Sequence, residues 1–361
     1  MISAQNSARS RFGSRPFRSV AVTVAAAATV LVMSACAGST PAGDDAADDA
    51  SFGDLSIQLS WIKNAEFAGE YFADSKGYFT DAGFDTVTLT AGPSATESLV
   101  LAGTADVGLS NAVSVAPVIL EEDAPLKIIG TTYQKNPFTI LSLADGGNIT
   151  TPADLVGKKI GVQAGPNETL FDALLAVNDI DPASVTKVPV EYDPSVLVNG
   201  EVDGFLAYVT NESIIVESEG FTVSNLLFAE NGLPFVAESF VVTQDSIDND
   251  REKLKAFLYA EILGWKDAIA DAAGGAALAV DTYGKDLELD LEKETAQAEA
   301  QNTLLIETDE TDANGLFTIS DELVADNLAT LSAAGYDITA DQLFDLTLLD
   351  EVYEEHPELL E

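Results

Sequence analysis

The chain has 361 residues, enough for one large or two medium domains, and 47% of them are hydrophobic, so a sizeable core can form. Acidic residues number 60 against 17 basic ones, a formal net charge of −43, which argues against DNA, RNA and anionic lipid surfaces as partners because each would be repelled. The single cysteine, Cys36, and the single histidine, His356, rule out an intramolecular disulfide and leave almost no basis for histidine general-base catalysis or a histidine-rich metal site.

Arg9, Arg11, Arg15 and Arg18 precede an apolar run, Val20–Met33, which is short for a bilayer span and suits the apolar centre of a signal peptide. The run closes on Met33-Ser34-Ala35-Cys36, small residues followed by the sole cysteine. This resembles a bacterial lipobox, so residues 1–36 are expected to be a lipoprotein signal, with Cys36 lipidated at the start of the mature chain. Residues 37–53 are mostly Ala, Gly, Ser, Thr, Pro and Asp, a composition that cannot build a core and suits a flexible acidic tether.

From Leu55 short apolar strands alternate with amphipathic helices, the pattern of an α/β fold. Strands are predicted at Leu55–Ser60, Thr86–Thr90, Asp106–Leu109 and Leu126–Thr132, with helices at Ala65–Lys76, Ala95–Leu101 and Ala112–Leu120. A second set follows: a short helix at Pro152–Leu155, strands at Lys159–Gln163, Val185–Glu191 and Val202–Ala207, a helix Glu168–Asn178 capped by Asn167, and a helical turn Pro194–Val198. In the first set a strand ending at Trp61 is followed by Pro93-Ser94, a helix and Gly103-Thr104-Ala105-Asp106. In the second a strand ending at Gln163 is followed by Pro194-Ser195, a short helix and Gly200-Glu201-Val202-Asp203. The parallel points to two lobes of related βαβαβ topology, although chance likeness between two α/β segments would look similar. Thr139–Leu143 reads as the exit from the first lobe and Pro234–Thr243 as the return. The helices Arg251–Ala272, Glu288–Ile306 and Asp321–Ala334 are then expected to pack back on the first lobe. The resulting division is 54–140 plus 240–361 for one lobe and 141–239 for the other, with a hinge between them.

Ligands of open α/β sheets sit beyond the carboxyl ends of the strands, near helix N-termini. The strand exits here carry Trp61, Asn64, Glu66 and Phe67; Pro93 and Ser94; Ser110 and Asn111; Gln163 and Asn167; Tyr192; and Tyr208, Asn211 and Glu212. Trp61 can stack on a flat heterocycle, or can pack between strand and helix, and Tyr192 and Tyr208 can complete a stack from the other lobe. The asparagines suit an amide- or pyrimidine-like edge, and equally suit helix caps and turns. Glu66, Glu212 and Glu238 suit a ligand with N–H donors or positive charge, or are solvated acids in an acidic chain. Beyond the leader the sequence holds one arginine, Arg251, whereas anion sites favour arginine forks, so a neutral or weakly basic aromatic heterocycle is the expected ligand class.

Trp61-Ile62-Lys63-Asn64-Ala65-Glu66-Phe67-Ala68-Gly69, Lys76-Gly77-Tyr78-Phe79, Ala102-Gly103-Thr104-Ala105-Asp106-Val107-Gly108, Thr151-Pro152-Ala153-Asp154-Leu155 and Asn211-Glu212 together resemble the nitrate/sulfonate/taurine-type solute-binding proteins, in the branch related to thiamine-pyrimidine synthases. The resemblance implies a type II periplasmic-binding-protein fold: two βαβ lobes, a hinge and a ligand cleft. It further implies a monomeric, extracytoplasmic partner of an ABC permease and ATPase, binding a thiamine pyrimidine precursor, a riboflavin-like flavin or a sulfonate without a cofactor. Pyrimidine-binding members often carry histidine where this chain has Phe67, and the Glu-Phe-Ala-Gly form looks closer to flavin importers. The synthases of the family use a reactive histidine and a cysteine-rich segment. This chain has His356 alone and no cysteine after Cys36, so no catalysis is expected.

Overall fold

A computed structural model describes residues 51–360. The leader, Cys36 and most of the tether lie outside the described residues. Two five-stranded sheets organise the rest. The first contains β1 (Gly53–Gln58), β2 (Phe84–Thr90), β3 (Val107–Ser110), β4 (Leu126–Tyr133) and, from far along the chain, β10 (Ala237–Thr243), in the order β2-β1-β3-β10-β4. The second contains β5 (Phe138–Leu143), β6 (Lys159–Val162), β7 (Thr186–Pro189), β8 (Gly204–Tyr208) and β9 (Val223–Leu227), in the order β7-β6-β8-β5-β9.

The two orders superimpose strand for strand. In each sheet three strands run parallel, β2-β1-β3 and β7-β6-β8. In each, the fourth position holds a strand antiparallel to both neighbours: β10 between β3 and β4, β5 between β8 and β9. The antiparallel strand is the one that begins as the chain crosses over, so each crossing delivers a strand into the sheet it enters.

This corrects the expected linkers. Thr139–Leu143 is not a connection but the body of β5, and Ala237–Thr243 is β10. The crossings are the shorter stretches 134–137 and 228–236. Residues 138–140 therefore pair in the second sheet and 237–239 in the first, a few residues from the boundaries read off the sequence. Both strands are buried on both faces, so they show no alternation, and a short apolar run without alternation gives no periodic signal. The helix Glu212–Ser218 and β9 had no counterpart in the sequence reading.

Local chemistry accounts for most element ends. Asn111 accepts from the N–H groups of Val113 and Ser114 and starts the helix Ala112–Glu122. The helix predicted from Glu288 instead begins at Leu291 behind an Asp290 cap, because Glu288 lies at φ +55°, a left-handed conformation that no helix continues through. The helix Pro166–Val177 is preceded by Gly165 with Pro166 in its first turn, so Asn167 is not its cap. Arg251–Ala270 buries Leu254, Phe257, Leu258, Ile262 and Trp265, as its spacing predicts, and crosses the helix Ala68–Ser75 closely. A Cβ on Gly264 would collide with the carbonyl of Gly69, so the crossing requires glycine there. One contiguous apolar cluster runs through both lobes. Among the described residues no helix is long and apolar enough to cross a membrane.

Candidate ligand-binding cleft

Between the two sheets, beyond the carboxyl ends of β1, β3, β6 and β8, lies a cavity of about 510 Å³. That volume falls within the roughly 300–1,000 Å³ typical of small-molecule sites. Gly92 shapes one wall: its N–H donates to the Trp61 carbonyl at 2.7 Å, and a Cβ there would strike the backbone of Ser60. The close approach brings Pro93 and Ser94 to the cavity.

Of the residues expected at the site, the fold brings Trp61, Glu66, Pro93, Ser94, Ser110, Asn111, Gln163, Asn167, Tyr192, Tyr208, Asn211, Glu212 and Glu238 to the cavity wall. Asn64 and Phe67 are elsewhere. Phe67 is fully buried in the apolar core, and Asn64 accepts from the Glu66 N–H and donates to Gln297 Oε1 at 3.4 Å. The reason is the tight turn Ala65–Phe67, which sends Glu66 outward to the cleft and its neighbours inward. Ser60, Glu97, Ser114 and Phe138 also line the cavity and were missed. Ser114, Pro117 and Val118 share one face of the helix Ala112–Glu122, a spacing visible in the sequence. Phe138 was hidden by reading its strand as a linker.

Aromatic groups meet across the gap. Trp61 of the first lobe and Tyr192 of the second lie with ring centroids 4.7 Å apart at 66°. Deeper on the second lobe Phe138 and Tyr208 pack edge to face at 4.7 Å. Trp61 is partly buried against the core and also lines the cavity, a position compatible with both roles weighed for it. The amides are partly engaged. Asn111 Oδ1 is spent on its helix, Asn167 Nδ2 donates to Gln163 Oε1 at 3.2 Å, and Gln163 Nε2 donates to the Leu206 carbonyl.

Four carboxyl groups line the cavity, those of Glu66, Glu97, Glu212 and Glu238, and no lysine or arginine does. Glu97 Oε1 accepts from Ser110 Oγ at 2.5 Å. Glu212 accepts from the Tyr208 N–H at 2.8 Å and from Asn211 Nδ2 at 3.3 Å. Burial raises Glu212 above the usual carboxylate range, while those hydrogen bonds and Lys293 pull it back. Glu66 and Glu238 are each 3% exposed and both line the cavity, and Ser60 Oγ donates to Glu238 Oε2 at 2.7 Å. Burial and the neighbouring Glu238 push Glu66 well up, and burial pushes Glu238 up to about 7. Glu238 sits at φ +48°, a conformation that non-glycine residues adopt rarely and that is concentrated at functional sites.

Behind these acids the helix Leu291–Gln301 clamps the Trp61–Phe67 exit with polar side chains. Glu294 accepts from the Ala65 N–H at 2.6 Å, and Gln301 donates to the Ala65 carbonyl at 2.9 Å. Lys293 donates to Gln297 at 2.7 Å, to Glu294 at 3.1 Å and, across to the second lobe, to Asn211 Oδ1 at 3.0 Å. Among the described residues no group of three metal-ligating side chains occurs.

A family model described as NMT1/THI5 like matches residues 64–273. The riboflavin-binding protein RibY of Chloroflexus aurantiacus is 23% identical over 255 residues, which is 67% of this chain and 72% of that protein. The periplasmic aliphatic sulphonate binding protein SsuA from Escherichia coli matches with a TM-score of 0.63 at 14% identity, over 81% of this chain and 92% of its own. The desulfurization enzyme DSZB matches with a TM-score of 0.57 at 13% identity, over 84% and 99%. The fold is that of the type II periplasmic solute-binding proteins, an architecture that also carries an enzyme.

Proposed function

This chain belongs to the NMT1/THI5-like family, and from that premise we propose that it is the extracytoplasmic solute-binding component of an ABC importer for a flat, uncharged heterocycle of the flavin type. The observation that carries the reading is the composition of the cavity wall: aromatic rings from both lobes, amides, four carboxyl groups and no basic side chain. A sulfonate or nitrate would find no basic side chain on that wall to pair with its charge. An aromatic heterocycle instead gains stacking on Trp61 and Tyr192 and finds hydrogen-bond partners on Asn111, Gln163 and Asn167. The relation to RibY supports the same ligand class. A thiamine-type aminopyrimidine is the second reading, favoured by the carboxyl groups, which accept from amino donors.

The decisive measurement is a binding panel of riboflavin, an aminopyrimidine and taurine, read by tryptophan quenching and by thermal shift. Riboflavin is expected to bind tightest and, at a hundred times its Kd, to stabilise by about 2.7 kcal/mol. Preference for taurine would overturn the reading. Lipidation at Cys36 belongs to the same proposal, supported by the apolar run and small residues before it. Cys36→Ser should shift the protein from membrane to medium on fractionation, and unchanged retention would contradict the anchor.

A further inference from the structure

The helix Leu291–Gln301 stands between the lobes. On one side Glu294 and Gln301 hold the backbone of Ala65, and on the other the helix packs against Glu212–Ser218 of the second lobe. Lys293 occupies that junction with a side chain only 12% exposed. An ammonium has three N–H donors, and each finds an acceptor here. Gln297 Oε1 at 2.7 Å and Glu294 Oε1 at 3.1 Å belong to the first lobe, and Asn211 Oδ1 at 3.0 Å belongs to the second. Among the described residues, and outside the two crossings, the bond to Asn211 is the one side-chain hydrogen bond between the lobes. Glu294 is fully buried and its other oxygen accepts from the Ala65 N–H, so the first lobe by itself aims the ammonium at its partner.

On the second lobe the bond extends to the cavity wall. Asn211 accepts from Lys293 with Oδ1 and donates with Nδ2 to Glu212 Oε1 at 3.3 Å, while Glu212 Oε2 accepts from the Tyr208 N–H. Reversing the amide would turn its NH2 on the ammonium and its oxygen on the carboxyl, so Lys293 fixes which way Asn211 points. Asn211, Glu212 and Tyr208 line the cavity, and Lys293 does not. Burial pushes the carboxyls of Glu66 and Glu212 up and the Lys293 charge draws both back down, so one cation serves an acid of each lobe.

We propose that Lys293 is a positioning residue of the cleft: its bond to Asn211 latches the second lobe onto the first, fixes Asn211 and Glu212 in the wall, and slows release of the bound solute. The inference rests on the cavity being a solute-binding cleft and not on which solute fills it. A hydrogen bond from a charged donor shielded from water outweighs one made in the open, and this bond exists only while the lobes are together. Its loss therefore acts on the closed form and appears in the release rate, with little change in the rate of capture.

The test has two arms. In the first, riboflavin release is followed by flavin fluorescence on rapid dilution. Lys293→Met and Asn211→Ala should each speed release by about tenfold. Because both remove the same bond, Lys293→Met in the Asn211→Ala background should add less than about twofold. Lys187→Met removes a cation whose acidic partners, Glu168 and Asp172, both lie in the second lobe, and it should leave release unchanged. In the second arm spin labels are placed on the ligand-free chain by Asp85→Cys and Glu217→Cys, exposed positions on the two lobes, with Cys36→Ser. Pulsed electron resonance should show the parent populating a short separation that Lys293→Met depletes by about tenfold. Asn211→Ala carries both arms if Lys293→Met fails to fold.

Unaltered release and separation in these variants overturn the latch, even where Tm falls, since a lower Tm alone marks a structural lysine. Equal acceleration by Lys293→Met in both backgrounds also overturns it, as does equal acceleration by Lys187→Met, which would make the effect one of overall charge. Absence of riboflavin binding to the parent overturns the proposed function, and the separation arm then decides the latch by itself.

Discussion

Trp61 carries two duties, closing the core of the first lobe and meeting Tyr192 across the cleft. An aromatic contact of this kind contributes roughly 0.5–1.5 kcal/mol beyond the area it buries. Trp61→Ala should therefore weaken ligand binding by about tenfold or more, read by flavin fluorescence, while the loss of core contact lowers Tm as well. Unaltered affinity in that variant would assign Trp61 to the core alone. Its position was legible, because a large ring at a strand exit of an α/β fold points to the ligand end of the sheet. The fates of Asn64 and Phe67 were not. One turn of helix decides whether successive residues face a cleft or a core, and its rotation depends on what packs behind it, here Glu294 and Gln301.

Among the helices, the crossing of Ala68–Ser75 with Arg251–Ala270 buries Glu70 and Glu261, neither of which has a conventional hydrogen-bond partner on its carboxyl oxygens. Burial pushes Glu70 up to about 8, and burial together with Glu70 pushes Glu261 well up. Both therefore hold protons in the folded state that they would release on unfolding at neutral pH. Their contribution is fully present below the unfolded value near 4.5 and is lost as pH rises through about 8. Glu70→Gln removes one ionisation, so it should raise Tm at about pH 8.5 and flatten the decline of Tm with pH, a gain of up to roughly 5 kcal/mol. Equal pH slopes for the variant and the parent, by differential scanning calorimetry, would show that Glu70 keeps an ordinary titration. The helix Leu291–Gln301 makes the complementary point. It buries Glu294, Gln297 and Gln301 rather than an apolar stripe, so hydropathy marks it as a solvated helix although it anchors the Trp61–Phe67 exit.

The two-lobed body holds its cleft with contacts of unequal kind. An apolar cluster is continuous through both lobes, while beside the cavity the lobes also touch through Trp61–Tyr192 and Lys293–Asn211. A large shared apolar interface resists motion, whereas one ring contact and one polar bridge exchange readily with water. Opening should hinge on the crossings 134–137 and 228–236 and break these two contacts first. Small-angle scattering is expected to show a smaller radius of gyration with riboflavin than without it. An unchanged radius under saturating ligand would mean that the cleft takes its solute without closing. The net charge of −43 makes the size of both states depend on salt, so the comparison belongs at fixed ionic strength.

Period, turn residues and composition located most strands and helices, the α/β class and the strand ends beyond which the cavity lies, because each is written in neighbouring residues and their spacing. The same logic explains the misses: β5 and β10 lack alternation because both faces are covered, and the predicted helix at Leu291–Gln301 gave no sign of its clamp on the Trp61–Phe67 exit because its buried groups are polar. The gathering of Glu66 and Glu238 in one cavity wall, the upward push that burial gives their carboxyls and the bridge from Lys293 to Asn211 arise only when distant segments are folded together. Their chemistry depends on separation in space and on the loss of water, and neither quantity is encoded in the order of residues along the chain.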